Sequence, residues 1–248
     1  MKQYLKHDNL PWLTLLAGGL GLLLRWWFRS TADEEGFIIR GHISVILLMV
    51  LTVALFVALL VSTRSLKQGN KYLFNFPPSP VAAIGLGIAG VSSLIISVAE
   101  MGSAKDGFVT VCGIFGVLAA ISFAFVAFGR WKGKKPSVIF QVVISLWLVF
   151  RLICLYRTWS SDPRLDDYCF QLMCVICAML SAYYRGAFGA GFGHRGNYAF
   201  FCLTGVYCGI VSIAGPGQNW MYMALAIWLF TDLCNLRPMR RKKRVETQ

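Results

Sequence analysis

The chain has 248 residues and a mass of 27.6 kDa, with 57% of positions hydrophobic and only 14% charged, where soluble domains carry about 25% charged residues. Eight apolar stretches of about 20 residues would fill roughly 160 positions, which excludes a soluble fold and leaves no room for a separate nucleotide-binding, DNA-binding or receptor domain. The formal charge of +13 therefore has to be explained within a membrane protein.

Apolar runs between charge and turn clusters predict eight helices. The first, Leu10 to Phe28, follows Lys2 and Lys6 and ends in Arg25-Trp26-Trp27-Phe28-Arg29. A secretory signal would end in small residues for cleavage, so this run reads as a retained span. His42 to Ser62 and Val81 to Met101 come next. Between them Asn75-Phe76-Pro77-Pro78-Ser79-Pro80 forms a stiff, non-helical entry to the third span. The other five runs are Phe108 to Phe128, Ser137 to Arg157, Asp167 to Tyr184, Tyr198 to Ala214 and Trp220 to Leu236. Strands of a membrane barrel would alternate instead of running continuously. The expected architecture is all-α, a polytopic integral membrane helix bundle of about eight transmembrane helices over residues 1–238, with a basic tail at 239–248.

Lys and Arg concentrate in cytoplasmic loops, and here the loop charges alternate. Placing Arg237, Arg240, Arg241, Lys242, Lys243 and Arg244 inside also places inside Arg64, Lys67 and Lys71, then Arg130, Lys132, Lys134 and Lys135, then Arg185 and Arg195. With Lys2 and Lys6, 17 of the 24 basic residues are inside, and eight of the eleven acids fall in the outer half. Both termini are thus expected in the cytoplasm. The excess positive charge meets anionic lipid at that face, and no nucleic acid partner is expected.

Ionisable groups recur near the outer ends of four spans: Arg25 in the first, Glu100 closing the third, Arg151 and Arg157 on the fifth, and Asp166 and Asp167 opening the sixth. Charges inside a bilayer face a bundle interior or a water-filled cavity, so this layer is a candidate outward-facing vestibule or internal ion-pair set. Arg25 and Arg157 can alternatively snorkel to the headgroups, helped at Arg25 by Trp26 and Trp27. Arg151 lies deeper, with Glu100, Asp166 or Asp167 as expected partners. Asp232 is the one acid well inside the last span and is expected to pair locally with Arg237 or to cap the basic tail.

The sixth loop, read from Arg185 to Gly196, satisfies G-x-G-x-x-G at Gly191, Gly193 and Gly196. That pattern binds dinucleotides only after a strand, and here it joins two membrane helices. Arg185, His194 and Arg195 remain candidates for holding a lipid or small-molecule phosphate. Cys174 and Cys177 form C-x-x-C without a second ligand pair and read as buried free thiols, with no metal and no cofactor expected. Cys154 and Cys169 sit at similar depth, so a disulfide between them is open. Neither H-E-x-x-H nor G-x-S-x-G occurs, and Glu34-Glu35 with Arg40 misses the E-E-x-x-x-R of prenyl-protein proteases by one position. Ala17 with Gly21, Ala83 with Gly87, Gly85 with Ala89 and Gly113 with Gly116 mark close helix packing.

The opening Leu22-Leu23-Leu24-Arg25-Trp26-Trp27 followed by Asp33-Glu34-Glu35-Gly36-Phe37 resembles the start of a group of multi-spanning membrane proteins of anaerobic Firmicutes, over about the first 45 residues. The resemblance implies a bacterial inner-membrane location and no particular activity. Three readings of function follow from the residues. The leading one is a permease-like or solute-binding protein for a small anionic or zwitterionic solute. The second is a non-catalytic subunit or sensor that packs against another membrane protein or a second copy. The third is an enzyme on lipid-linked substrates, which would need Arg151, Glu100 and Asp166 to converge.

Overall fold

The computed structural model describes residues 9–30, 42–64, 66, 71–103, 107–159, 168–215, 217 and 219–236. Among these residues the regular structure is all helical, with no strand: α1 (Leu10–Ser30), α2 (Ile43–Arg64), a single turn α3 (Tyr72–Asn75), α4 (Pro80–Ser103), α5 (Gly107–Lys132), α6 (Val138–Trp159), α7 (Cys169–Ala190), α8 (Arg195–Ser212) and α9 (Asn219–Cys234). Helices α2, α4, α5, α6 and α7 are long and apolar enough to cross a membrane. Each expected span contains one long helix, and the largest departure is at the sixth. There α7 continues through Arg185-Gly-Ala-Phe-Gly-Ala to Ala190, because a backbone buried in protein or lipid must satisfy its polar groups within the helix. The expected long glycine loop shrinks to residues 191–194. Gly191 caps α7 in the left-handed region, at φ +89°, and its N–H returns to the Phe188 carbonyl.

Consecutive long helices run antiparallel, so residues 10 and 236 reach the same end of the bundle, where both line one cavity. This end also holds the exits of α2, α5, α7 and α9 and is called the basic end below. Helices α4, α5, α6, α7 and α9 adjoin pairwise in a closed circuit. Its interior is filled by Phe123, which meets Trp147 and Trp228 edge-on at centroid distances of 6.5 and 5.0 Å. Helix α8 packs on α7 and α9 outside the circuit, and α1 and α2 pack on α8.

The composition of each helix matches its place. In α8 thirteen of eighteen residues are buried, and the helix carries Thr, Tyr and Cys where a lipid-facing helix would carry Leu or Val. In α2, Ile46, Val50, Val53, Val57 and Val61 are exposed, apolar all round as a lipid-facing surface requires. The tightest crossing is α4 on α5, where a Cβ at Gly116 would collide with Ser97 Oγ and lie 2.8 Å from Trp147 Nε1. Gly85 meets Thr231 of α9 in the same way. Gly87, by contrast, has nothing within 4 Å, so the pair Ala83 and Gly87 is not a packing pair.

Candidate functional site

At the basic end a fully buried polar cluster forms around Asp232 of α9. Its Oδ2 accepts hydrogen bonds from Arg185 Nη1 of α7 at 2.7 Å and from the Tyr198 hydroxyl of α8 at 2.6 Å. Its Oδ1 accepts from Arg130 Nε of α5 at 3.3 Å. All four side chains are 1% exposed or less. Arg130 also donates to the carbonyls of Pro77 and Asn235, and Arg185 Nη2 lies 3.5 Å from the Tyr72 hydroxyl. Arg195, buried at the start of α8, donates to Asn75 Oδ1 at 3.3 Å.

Residues 72–79 reach this cluster because the prolines hold the stretch of chain that enters α4. Pro80 opens that helix, and Ser79 Oγ accepts the Ala82 N–H as a cap. The segment turns Phe76 inward under two guanidinium groups, Arg130 at 5.1 Å and Arg185 at 5.4 Å from the ring centroid. Phe76 further packs edge-on against Phe188 and Tyr198, both at 5.3 Å. The connection between α2 and α4 thus plugs the basic end of the helix bundle.

A second layer lies at the opposite end. Arg151, 3% exposed on α6, forms an ion pair with Glu100 at the end of α4. Arg25 is 1% exposed on α1, donates to the Val211 carbonyl at 3.1 Å and lies 5.4 Å over the Phe170 ring. It does not snorkel: Trp26 and Trp27 face out while Arg25 turns in toward α7 and α8. Arg157 is exposed, with its guanidinium 5.2 Å from the Phe108 ring. Asp166 and Asp167 lie outside the described residues, so the convergence that an enzyme would need is seen for Arg151 and Glu100 alone.

Between the layers lie further buried polar groups. Gln141 of α6 is 2% exposed and packs on Gly186, next to Arg185. Trp228 stands one turn before Asp232. Among the described residues neither end of the Gln141 amide, nor Trp228 Nε1, nor Arg185 Nε has a hydrogen-bond partner. A cavity of about 450 Å³ between α6 and α7, lined by Gln141, Ser145, Tyr183, Gly186, Ala187 and Phe192, adjoins the same place from the flank.

The sites expected from sequence are redistributed accordingly. Arg185 and Arg195 are interior residues holding Asp232 and Asn75, while His194 alone of the three phosphate candidates is exposed. Asp232 is bound by Arg130 and Arg185 from other helices; Arg237, its expected local partner, lies outside the described residues. Arg130 reads as a loop charge in the sequence and proves to be a core residue. The signal for the plug was present in Tyr72, Phe74 and Phe76, three aromatics in a segment otherwise read as a polar cytoplasmic loop. Cys154 and Cys169 are free thiols, the first buried and the second exposed. Cys174 and Cys177 are buried free thiols, and no group of three metal-ligating side chains occurs among the described residues. Compared with known protein families, with curated proteins and with solved structures, the chain matches none.

Proposed function

We propose that the protein is an eight-span, permease-like membrane protein of the bacterial inner membrane, with its basic end and both termini in the cytoplasm, that binds a small anionic or zwitterionic solute beside Gln141, at the cavity between α6 and α7 of the circuit. The observation that carries this reading is the pair of buried side chains Gln141 and Trp228, whose polar atoms lack hydrogen-bond partners and which lie between the ion-pair layers at the two ends of the circuit. An orphaned buried polar group costs about 1–3 kcal/mol, a cost that a purely structural bundle would avoid with apolar residues. The Arg130–Asp232–Arg185 cluster under Phe76 serves as the inner closure. Arg151 with Glu100 serves as the outward-facing layer, and its mixture of charges suits a ligand carrying an anionic group.

The test needs no known substrate. Only Cys169 and Cys234 among the eight thiols are exposed, so replacing both by Ser gives a quiet background in which Gln141→Cys can be probed in sealed vesicles with a membrane-impermeant maleimide. A permease admits water to this position, so the introduced thiol is expected to react from one side of the membrane, at a rate changed by the solute. Reaction only after denaturation would reject the reading.

The second reading, a subunit that packs against another membrane protein, draws on a cavity of about 710 Å³ between α1 and α2, lined by Leu20, Leu23, Trp26, Leu47, Val50 and Ala54. A helix of a partner or of a second copy fits such an apolar cleft. Absence of labelling at position 141 together with a stable oligomer in mild detergent would favour it.

A further inference from the structure

A separate cavity of about 310 Å³ opens at the basic end between α1, α2, α8 and α9, outside the circuit. Its walls are Leu10 and Trp12 of α1, Leu66 beyond α2, Leu203 of α8 and Leu236 beyond α9, with Arg195 as the one charged residue among its lining residues. Arg195 is 2% exposed, so its guanidinium is built into the wall. It carries five N–H donors in a fixed fork, which lets an anion share it with Asn75.

The sequence next to the lining residues has the same bias. Leu10 is preceded by Lys2 and Lys6, Leu66 runs into Lys67 and Lys71, and Leu236 runs into Arg237, Arg240, Arg241, Lys242, Lys243 and Arg244. Ten basic residues thus flank the lining segments, against Asp8 and Glu246. An inorganic phosphate or a phosphorylated metabolite would engage Arg195 and leave five leucines facing an unfilled space. An amphiphile satisfies both. Trp12, half-exposed and edge-on to Phe230 at 5.5 Å, stands where interfacial tryptophans mark the headgroup level.

We propose that this cavity is a binding site for an anionic phospholipid of the cytoplasmic leaflet, with its phosphate on Arg195 and part of one acyl chain among Leu10, Leu66, Leu203 and Leu236. Basic pockets between membrane helices on the cytoplasmic side hold such headgroups by this combination of charge and apolar wall. The cavity volume lies at the low end of ligand sites, about 300–1,000 Å³, which suits a chain segment and a headgroup edge rather than a whole lipid. The site lies apart from Gln141, so its loss and the loss of solute access to the circuit are distinguishable.

The experiment reconstitutes the full chain into vesicles of phosphatidylcholine alone or of phosphatidylcholine with phosphatidylglycerol, extracts it in mild detergent and counts retained lipids by native mass spectrometry. The wild-type chain is expected to retain one phosphatidylglycerol and no phosphatidylcholine. Ala199→Phe fills the cavity from α8 without touching a charge and should lower retention about tenfold, a loss of about 1.4 kcal/mol of binding. Cys234→Phe, on the exposed rim, replaces it if that variant does not fold. The tail variant Lys242→Gln with Lys243→Gln should keep the lipid. Equal retention of the two lipids, or undiminished retention with the cavity filled, overturns the site. A thermal shift from inorganic phosphate as large as that from phosphatidylglycerol would make it a small-anion site and overturn the lipid assignment.

Discussion

Replacing Asp232 by Asn removes one charge at nearly constant shape from the point where α5, α7, α8 and α9 meet. In the parent, Arg130 and Arg185 are both buried and both donate to this carboxylate, and Tyr198 donates a third hydrogen bond. The amide keeps one oxygen acceptor and puts an NH₂ group where another donor already points. Two guanidinium groups are then left without their shared counter-charge in a site 0% exposed at Asp232. Breaking a buried pair in this way costs about 3–5 kcal/mol, and for chains of this size each kcal/mol moves Tm by about 2–4 °C. Asp232→Asn should therefore melt about 6–20 °C below the parent in detergent, followed by Trp fluorescence, since Trp228 is one turn away. The companion variant Arg130→Met with Arg185→Met and Asp232→Leu should recover most of that loss, because an apolar replacement of a whole buried ion cluster is often neutral. A single variant melting within about 2 °C of the parent, less than 1 kcal/mol on the same scale, would refute the reasoning.

Three further outcomes concern the opposite layer and the helix crossings. Arg151→Leu and Glu100→Gln should each destabilise, and a double-mutant cycle should return a coupling of about 0.5–3 kcal/mol; additive effects would mean that the pair is not energetically linked. Arg25→Leu should cost about 1–3 kcal/mol, because the Val211 carbonyl loses a charged donor, whereas an arginine reaching to headgroups would be replaced with little change. Gly116→Val should cost about 1–3 kcal/mol by overpacking against Ser97 and Trp147, while Gly87→Ala, with nothing within 4 Å, should be neutral or gain up to about 1 kcal/mol. Thermal melts of the two glycine variants side by side check the distinction.

The positions of the long helices were legible because a lipid solvent leaves the chain little choice: an apolar run of spanning length has to satisfy its own backbone. The ends were less legible, and the sixth span shows why. Arg185 and the glycines after it look like loop because charge is costly in lipid and glycine is a weak helix former. Neither argument applies once the segment is buried in protein and its charge is met by Asp232 from α9. Pairing across helices is a non-local fact that no local pattern carries, which is also why Arg130 passed for a loop charge and Asp232 for a partner of Arg237. The Arg151–Glu100 contact was readable because depth along α4 and α6, which run parallel with α5 between them, can be counted at 1.5 Å per residue. The inward turn of Arg25 was not, since depth alone leaves the azimuth of a side chain undetermined.

Glu100 and Asp232 are the carboxylates among the described residues, and each is spent on a buried arginine. The consequence for the charge balance differs at the two ends. At the basic end, Arg130, Arg185 and Arg195 count toward the 17 residues that orient the chain by the loop-charge rule, yet all three are 2% exposed or less. On the proposed orientation they would act while the chain inserts, when the rule applies to unfolded segments, and they serve packing in the folded chain. The mature surface at that end is therefore less basic than the sequence count implies. The proposed attraction to anionic lipid then rests on the remaining Lys and Arg and on a wall-lining guanidinium such as Arg195. The proposed lipid site is accordingly a matter of a few placed groups rather than of net charge.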